Sequence, residues 1–145
     1  MKPPPNLMET AMFATSSSDF LRRVLMADAL ATAATGLLLA FGAGHLSPLF
    51  GLPLVLLREA GIVLLPFAAL VAYVATRAQL SRRWVWAIII CNALWVADSI
   101  VLLMSGWVSP TLIGQAFVMA QALVVALLAE LEYFGLRKAP VALIG

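Results

Sequence analysis

Residues 24–43 read VLMADALATAATGLLLAFGA. As a helix rising 1.5 Å per residue, this stretch covers about 30 Å, the thickness of a bilayer's hydrocarbon core. One ionisable residue, Asp28, interrupts it. Arg22 and Arg23 bound it on one side, and Ser18 or Asp19 can cap a helix over 20–44. Three further apolar runs follow, over 58–76, 84–106 and 110–134. The spacing predicts an all-α polytopic membrane protein, a four-helix transmembrane bundle occupying 20–138.

Composition agrees. Of 145 residues, 63% are hydrophobic and 11% charged, and the mean hydropathy is +1.03. A soluble domain is about half apolar and a quarter charged, so this much apolar surface has no water-facing solution at this length. Four spans with short turns leave room for one domain. Residues 1–19, with Pro3 to Pro5 and Ser16 to Ser18, show no apolar periodicity and read as a disordered cytoplasmic tail. Residues 139–145 read as a C-terminal tail. Met8 and Met12 are alternative starts. The N-terminal stretch lacks the layout of a cleaved signal peptide, so the first span is expected to stay as an anchor.

Turns punctuate the runs. Pro48, Gly51 and Pro53 break the segment 45–57, and Pro66 predicts a kink within the second span. Trp84 and Trp86 stand at one end of the third span and Trp107 at the other, as interfacial tryptophans do. Ser109-Pro110 opens the fourth span, and Gly135 is placed to end it. Eight basic residues (Lys2, Arg22, Arg23, Arg77, Arg82, Arg83, Arg137, Lys138) fall on one side and only Arg58 on the other. That bias puts both termini in the cytoplasm. It also accounts for the net charge of +2 without any nucleic-acid partner; membrane lipids are the expected surroundings.

An ionisable group inside a span costs about 2.5–3.5 kcal/mol on insertion scales, so each needs a partner or a purpose. Asp98 lies about 20 Å along its helix. Asn92 and Ser99 share nearly one face, with Trp95 between them. Gln115 reaches a similar depth in the fourth span, and Arg58 and Glu59 open the second. The expectation is an outer-leaflet polar cluster of Arg58, Glu59, Asp98 and Gln115, with Asn92 and Gln121 deeper. It reads either as a small pocket or proton relay, or as a network fixing helix register. Asp28, with Thr32 and Thr35 at i+4 and i+7, is a secondary candidate for a proton- or cation-coupled site. Its closeness to the basic rim favours pairing with Arg22, Arg23 or Arg82. Glu130 and Glu132 read as residues of the cytoplasmic exit, paired with Arg82, Arg83 or Arg137. Gly36, Ala40 and Gly44 recur every four residues, a small-xxx-small stripe suited to close packing within the bundle or against another chain.

Other chemistry is not proposed by these residues. Cys91 is the only cysteine and His45 the only histidine, which rules out an internal disulfide, a CxxC pair and a bis-histidine haem within one chain. The sequence holds no metal-ligand cluster, Walker loop, nucleophile elbow or HExxH motif, so no catalytic residue, metal or cofactor is assigned.

The stretches GIVLLPFAALVAY, NALWVADSIVLL and GWVSPTLIGQAFVMAQALVVALLAELEYFGLR resemble a group of small bacterial four-helix membrane proteins, loosely similar to the wider DoxX-like class. The resemblance covers 20–138 and implies a bundle in the bacterial cytoplasmic (inner) membrane, with no established catalytic residues. Small multidrug transporters share the four helices and an acidic residue in the first; only Asp28 corresponds here. Three functions remain open on the residues alone. One is a non-enzymatic accessory or interaction protein, packing against itself as a homo-oligomer or against a larger membrane complex. The second is a small proton- or cation-coupled transporter or channel using the intramembrane carboxylates. The third is a binder of a lipid or quinone-like ligand.

Overall fold

The structure is a computed structural model, and it describes residues 6–139. The expected tail segments 1–5 and 140–145 lie outside the described residues. Four helices run in sequence: α1 (Leu7–Phe50), α2 (Leu54–Thr76), α3 (Arg82–Met104) and α4 (Leu112–Lys138). All four are long and apolar enough to cross a membrane.

α1 is longer than the sequence pattern indicates, at 44 residues. The stretch 7–19, expected to be a loose tail, is helical. Asn6 caps it, its side chain accepting from the Glu9 N–H at 2.8 Å, and Glu9 adds negative charge to the first turn, where the helix dipole favours it. The hydroxyls of Thr15 and Ser18 donate back to the carbonyls of Met12 and Thr15, so this run is accommodated inside the helix. Ser18 and Asp19 are therefore interior positions, not caps. At the other end α1 passes Gly44 and Pro48 and stops at Gly51, which has φ 65° and donates its N–H to the Ser47 carbonyl. A proline this near the helix end removes one hydrogen bond only, whereas the left-handed conformation at Gly51 terminates the helix. α2 accordingly starts at Leu54, four residues before the expected Arg58, and runs unbroken through Pro66.

α4 also departs from the sequence reading. Its cap is Thr111, whose side chain accepts from the Gly114 N–H at 3.1 Å, and the helix continues past Gly135. Gly135 is instead a packing position, where an added Cβ would lie 3.2 Å from the Leu21 side chain. Thr111 also ties the two helix ends together: its N–H donates to the Phe50 carbonyl at 2.9 Å and its hydroxyl to the Leu49 carbonyl at 2.7 Å. Phe50 stacks on Phe117 next to this tie, with ring centroids 4.6 Å apart.

α1 packs extensively on α2 and also on α4, and α4 packs on α3, whereas α2 and α3 touch only sparsely. The bundle is thus closed on three sides and gapped on the fourth. One core cluster, around Leu21, Leu25, Val71, Ile88 and Leu136, fills the end that holds the basic residues. A second, around Leu39, Phe50, Leu57 and Val118, fills the other. Outward faces are apolar as well, with Leu30, Phe41, Val63, Leu94, Val101 and Leu123 all exposed. The interior, by contrast, holds Asp28, Asn92 and Glu132. Polar groups in and apolar groups out is the arrangement suited to lipid.

Candidate functional site

Between the two core clusters, α1, α3 and α4 bring polar side chains together inside the bundle. Asp28 from α1 and Glu132 from α4 are fully buried, and Asn92 from α3 is 3% exposed. The Asn92 amide nitrogen donates to Asp28 Oδ2 at 2.9 Å and reaches Glu132 Oε2 at 3.4 Å. Thr32, one turn beyond Asp28, donates its hydroxyl to Asp28 Oδ1 at 3.0 Å. Asp28 thus has a donor on each oxygen. Glu132 has one long contact, and its Oε1 has no hydrogen-bond partner among the described residues. One amide nitrogen, that of Asn92, therefore bridges the two carboxyls.

Among the described residues no arginine neutralises this pair. Arg22, expected beside Asp28, extends to the C-terminal end of α2, where its guanidinium donates to the carbonyls of Ala75, Arg77 and Ala78. A helix C-terminus presents unpaired carbonyls and partial negative charge, so it competes effectively for the cation. Arg23, Arg82 and Arg83 are exposed. Glu130 is exposed, whereas Glu132, two residues on, falls on the inward face. The shared role assigned to the two glutamates at the cytoplasmic exit therefore does not hold for Glu132.

A second polar chain lies further along the bundle. The Trp95 indole N–H donates to Gln121 Oε1 at 2.7 Å, Gln121 Nε2 donates to the Ser99 hydroxyl at 3.0 Å, and that hydroxyl donates to the Trp95 carbonyl at 2.8 Å. Every member finds a partner, so the chain fixes the facing of α3 against α4.

The polar cluster expected around Asp98 does not assemble as one unit. Asn92 and Gln121 are inside but belong to two different networks. Arg58, Glu59 and Gln115 are exposed, and the Gln115 amide folds back onto the Pro110 carbonyl at 3.2 Å. Asp98 is exposed too, although it lines the gap between α2 and α3. Thr35 also lines that gap, while His45 is exposed. Among the described residues no group of three or more His, Cys, Asp or Glu side chains could hold a metal ion.

The gap itself is a cavity of about 430 Å³, with walls from Val63, Leu64 and Phe67 on α2 and Leu94, Trp95 and Asp98 on α3. Thr32, Asn92 and Gln121 contribute polar atoms to its lining. A second cavity of about 390 Å³ shares Trp95, Asp98, Phe117 and Gln121 with it and extends to Ser105 and Trp107. The α3 residues that line the two adjoining cavities, from Asn92 to Ser105, extend over about 20 Å of chain. Among the described residues none of those lining either cavity is basic.

No family model, curated protein or solved structure matches this chain. The groove and the buried carboxyl pair are therefore read on their own chemistry.

Sequence reasoning placed Asn92 deep in the third span and Asp28 near the basic rim without joining them, and it read Glu132 as a residue of the cytoplasmic exit. One signal was available. Glu132 lies 18 residues after Gly114, five helical turns at 3.6 residues per turn, and both are buried in the same α4.

Proposed function

We propose that this chain is an integral membrane protein with both termini in the cytoplasm, and that it holds an elongated lipophilic molecule in the groove between α2 and α3. The apolar outer surface supports insertion, and the one-sided distribution of Lys and Arg supports the orientation. The bacterial inner membrane is the location that the DoxX-like resemblance implies.

The observation that carries the binding reading is the groove. It is elongated, almost wholly apolar, and supplied at intervals with a few polar groups, the composition of small-molecule sites in general. Its length suits an acyl or isoprenoid chain, as in a lipid or quinone-like ligand. The head group is neutral or cationic, because Asp98 lines the groove, Asp28 and Glu132 lie behind Asn92, and no lining residue would neutralise an anion.

Two other readings draw less support. The small-residue stripe that suggested an interaction protein is largely used inside the chain. A Cβ on Gly61 would lie 2.3 Å from the Ala40 backbone nitrogen and 2.7 Å from the Gly36 carbonyl, so Gly36 and Ala40 serve the α1–α2 contact. Gly44 alone faces open space. A transporter or channel reading rests on the intramembrane carboxylates, Asp98 on the groove wall and Asp28 behind it, and the Asp98→Asn variant tests the first of these by its effect on pH-dependent flux in proteoliposomes.

The groove reading is tested through Trp95. A variant carrying phenylalanine at 84, 86 and 107 leaves Trp95 as the single tryptophan. Lipids brominated along the acyl chain should quench its emission in a saturable manner. Quenching that rises without saturation, as simple collision with bulk lipid gives, contradicts a bound molecule.

A further inference from the structure

We infer that Asp28 and Glu132 form an intramembrane proton-binding centre, with the proton held on Glu132 and directed at Asp28. This is independent of what occupies the groove. Two buried carboxyls that share the one Asn92 amide are acceptors only when both are ionised, and a proton on one of them supplies the missing donor. The neighbours decide which carboxyl holds it. Asp28 accepts from Thr32 at 3.0 Å and from Asn92 at 2.9 Å, so its charge is met by two donors. Glu132 receives only the 3.4 Å contact from Asn92, and its Oε1, fully buried, is unpartnered among the described residues. A hydroxyl on Glu132 would give that carboxyl a partner in Asp28 and leave a single negative charge in the cluster.

Among the described residues no other ionisable group offers a counter-charge. On α1, Arg22 is committed to the end of α2. α2 faces the cluster with apolar side chains such as Val71 and Ala75, and its charged residues, Arg58 and Glu59, lie in its first turns. On α3, Arg82, Arg83 and Asp98 are exposed. On α4, Glu130 is exposed and Arg137 lies over the Tyr133 ring at 5.6 Å. Asn92 and Thr32 both bond the pair and line the groove, so the proton centre and the groove share a wall. That wall is a route by which the proton exchanges with the groove.

The test is carbon-13 NMR of the full chain in lipid nanodiscs, with label on the glutamate side-chain carboxyl carbons. The chain has four glutamates, at 9, 59, 130 and 132. At neutral pH one signal should fall in the protonated-carboxyl range. The protonated signal should show through-space coupling to the Asn92 side-chain amide and vanish in Glu132→Gln, which keeps a donor toward Asp28. The wild-type coupling assigns the signal without any variant having to fold. A spectrum with no protonated signal overturns the inference, as does a protonated signal that couples elsewhere. Neither result bears on whether the groove is occupied.

Discussion

α1 and α2 approach closely at Gly61, and Gly61→Ala probes that approach directly. The added methyl would sit 2.3 Å from Ala40 N, 2.7 Å from Gly36 O and 2.9 Å from Ala40 Cα. All three are backbone atoms, so no side chain can rotate out of the way. Carbon atoms pack best about 3.5–4.0 Å apart, so α2 must retreat by roughly 1 Å, and a gap of that size forfeits about a quarter to a half of each dispersion contact across the interface. Overpacking costs about 1–3 kcal/mol, and a clash with backbone alone belongs in the upper part of that range, at about 2–3 kcal/mol. Alanine regains about 1 kcal/mol of helix propensity over glycine. The net loss is then about 1–2 kcal/mol, a factor of roughly 5–30 in the folded population. Gly44→Ala is the matched control, because an added Cβ there meets nothing within 4 Å; it should be neutral or gain up to about 1 kcal/mol. Reversible unfolding by sodium dodecyl sulfate, followed by circular dichroism in mixed micelles, measures both. A Gly61→Ala protein no less stable than Gly44→Ala would refute the close approach of the two helices.

Asn92→Leu leaves the Asp28–Glu132 pair without its bridging amide and should cost about 2–3 kcal/mol in the same assay, the range for losing a hydrogen bond to a charged buried group. Asp98→Asn, at an exposed position, should stay within about 0.5 kcal/mol of wild type; equal losses from the two variants would contradict the placement of Asn92 at the centre and Asp98 on the wall. For orientation, a cytoplasm-dependent fluorescent reporter fused after Lys138 should be bright, and a reporter active only outside the cytoplasm should work when inserted at 105–109. The reverse pattern contradicts both termini lying inside.

The four helices were legible because hydropathy and length act on each segment separately. The 20-residue scale of a span shows in Val24–Ala43 whatever its neighbours do. Helix ends were less legible. Pro48 looked like a break, yet the stop is set three residues later by the left-handed Gly51. Gly135 looked like a stop, yet its lack of a side chain serves contact with Leu21. The candidate site was the least legible part, because it depends on the rotation of each helix about its axis. Depth along α3 pointed to Asp98, but α3 turns Asn92 and Ser99 inward and leaves Asp98 on the groove wall. Nearness in sequence likewise paired Asp28 with Arg22, while the carbonyls at the end of α2 hold that guanidinium instead.

The claim that the groove holds a lipophilic molecule is tested most directly by weighing the protein. Wild-type chain, released from mild detergent into the mass spectrometer without unfolding, should carry one discrete adduct with the mass of a neutral or cationic lipophilic molecule. Val63→Trp and Ala120→Trp, which fill the first cavity from α2 and from α4, should lose that adduct while remaining folded. A bare wild-type chain, or an adduct that persists unchanged in both filled variants, would contradict the account.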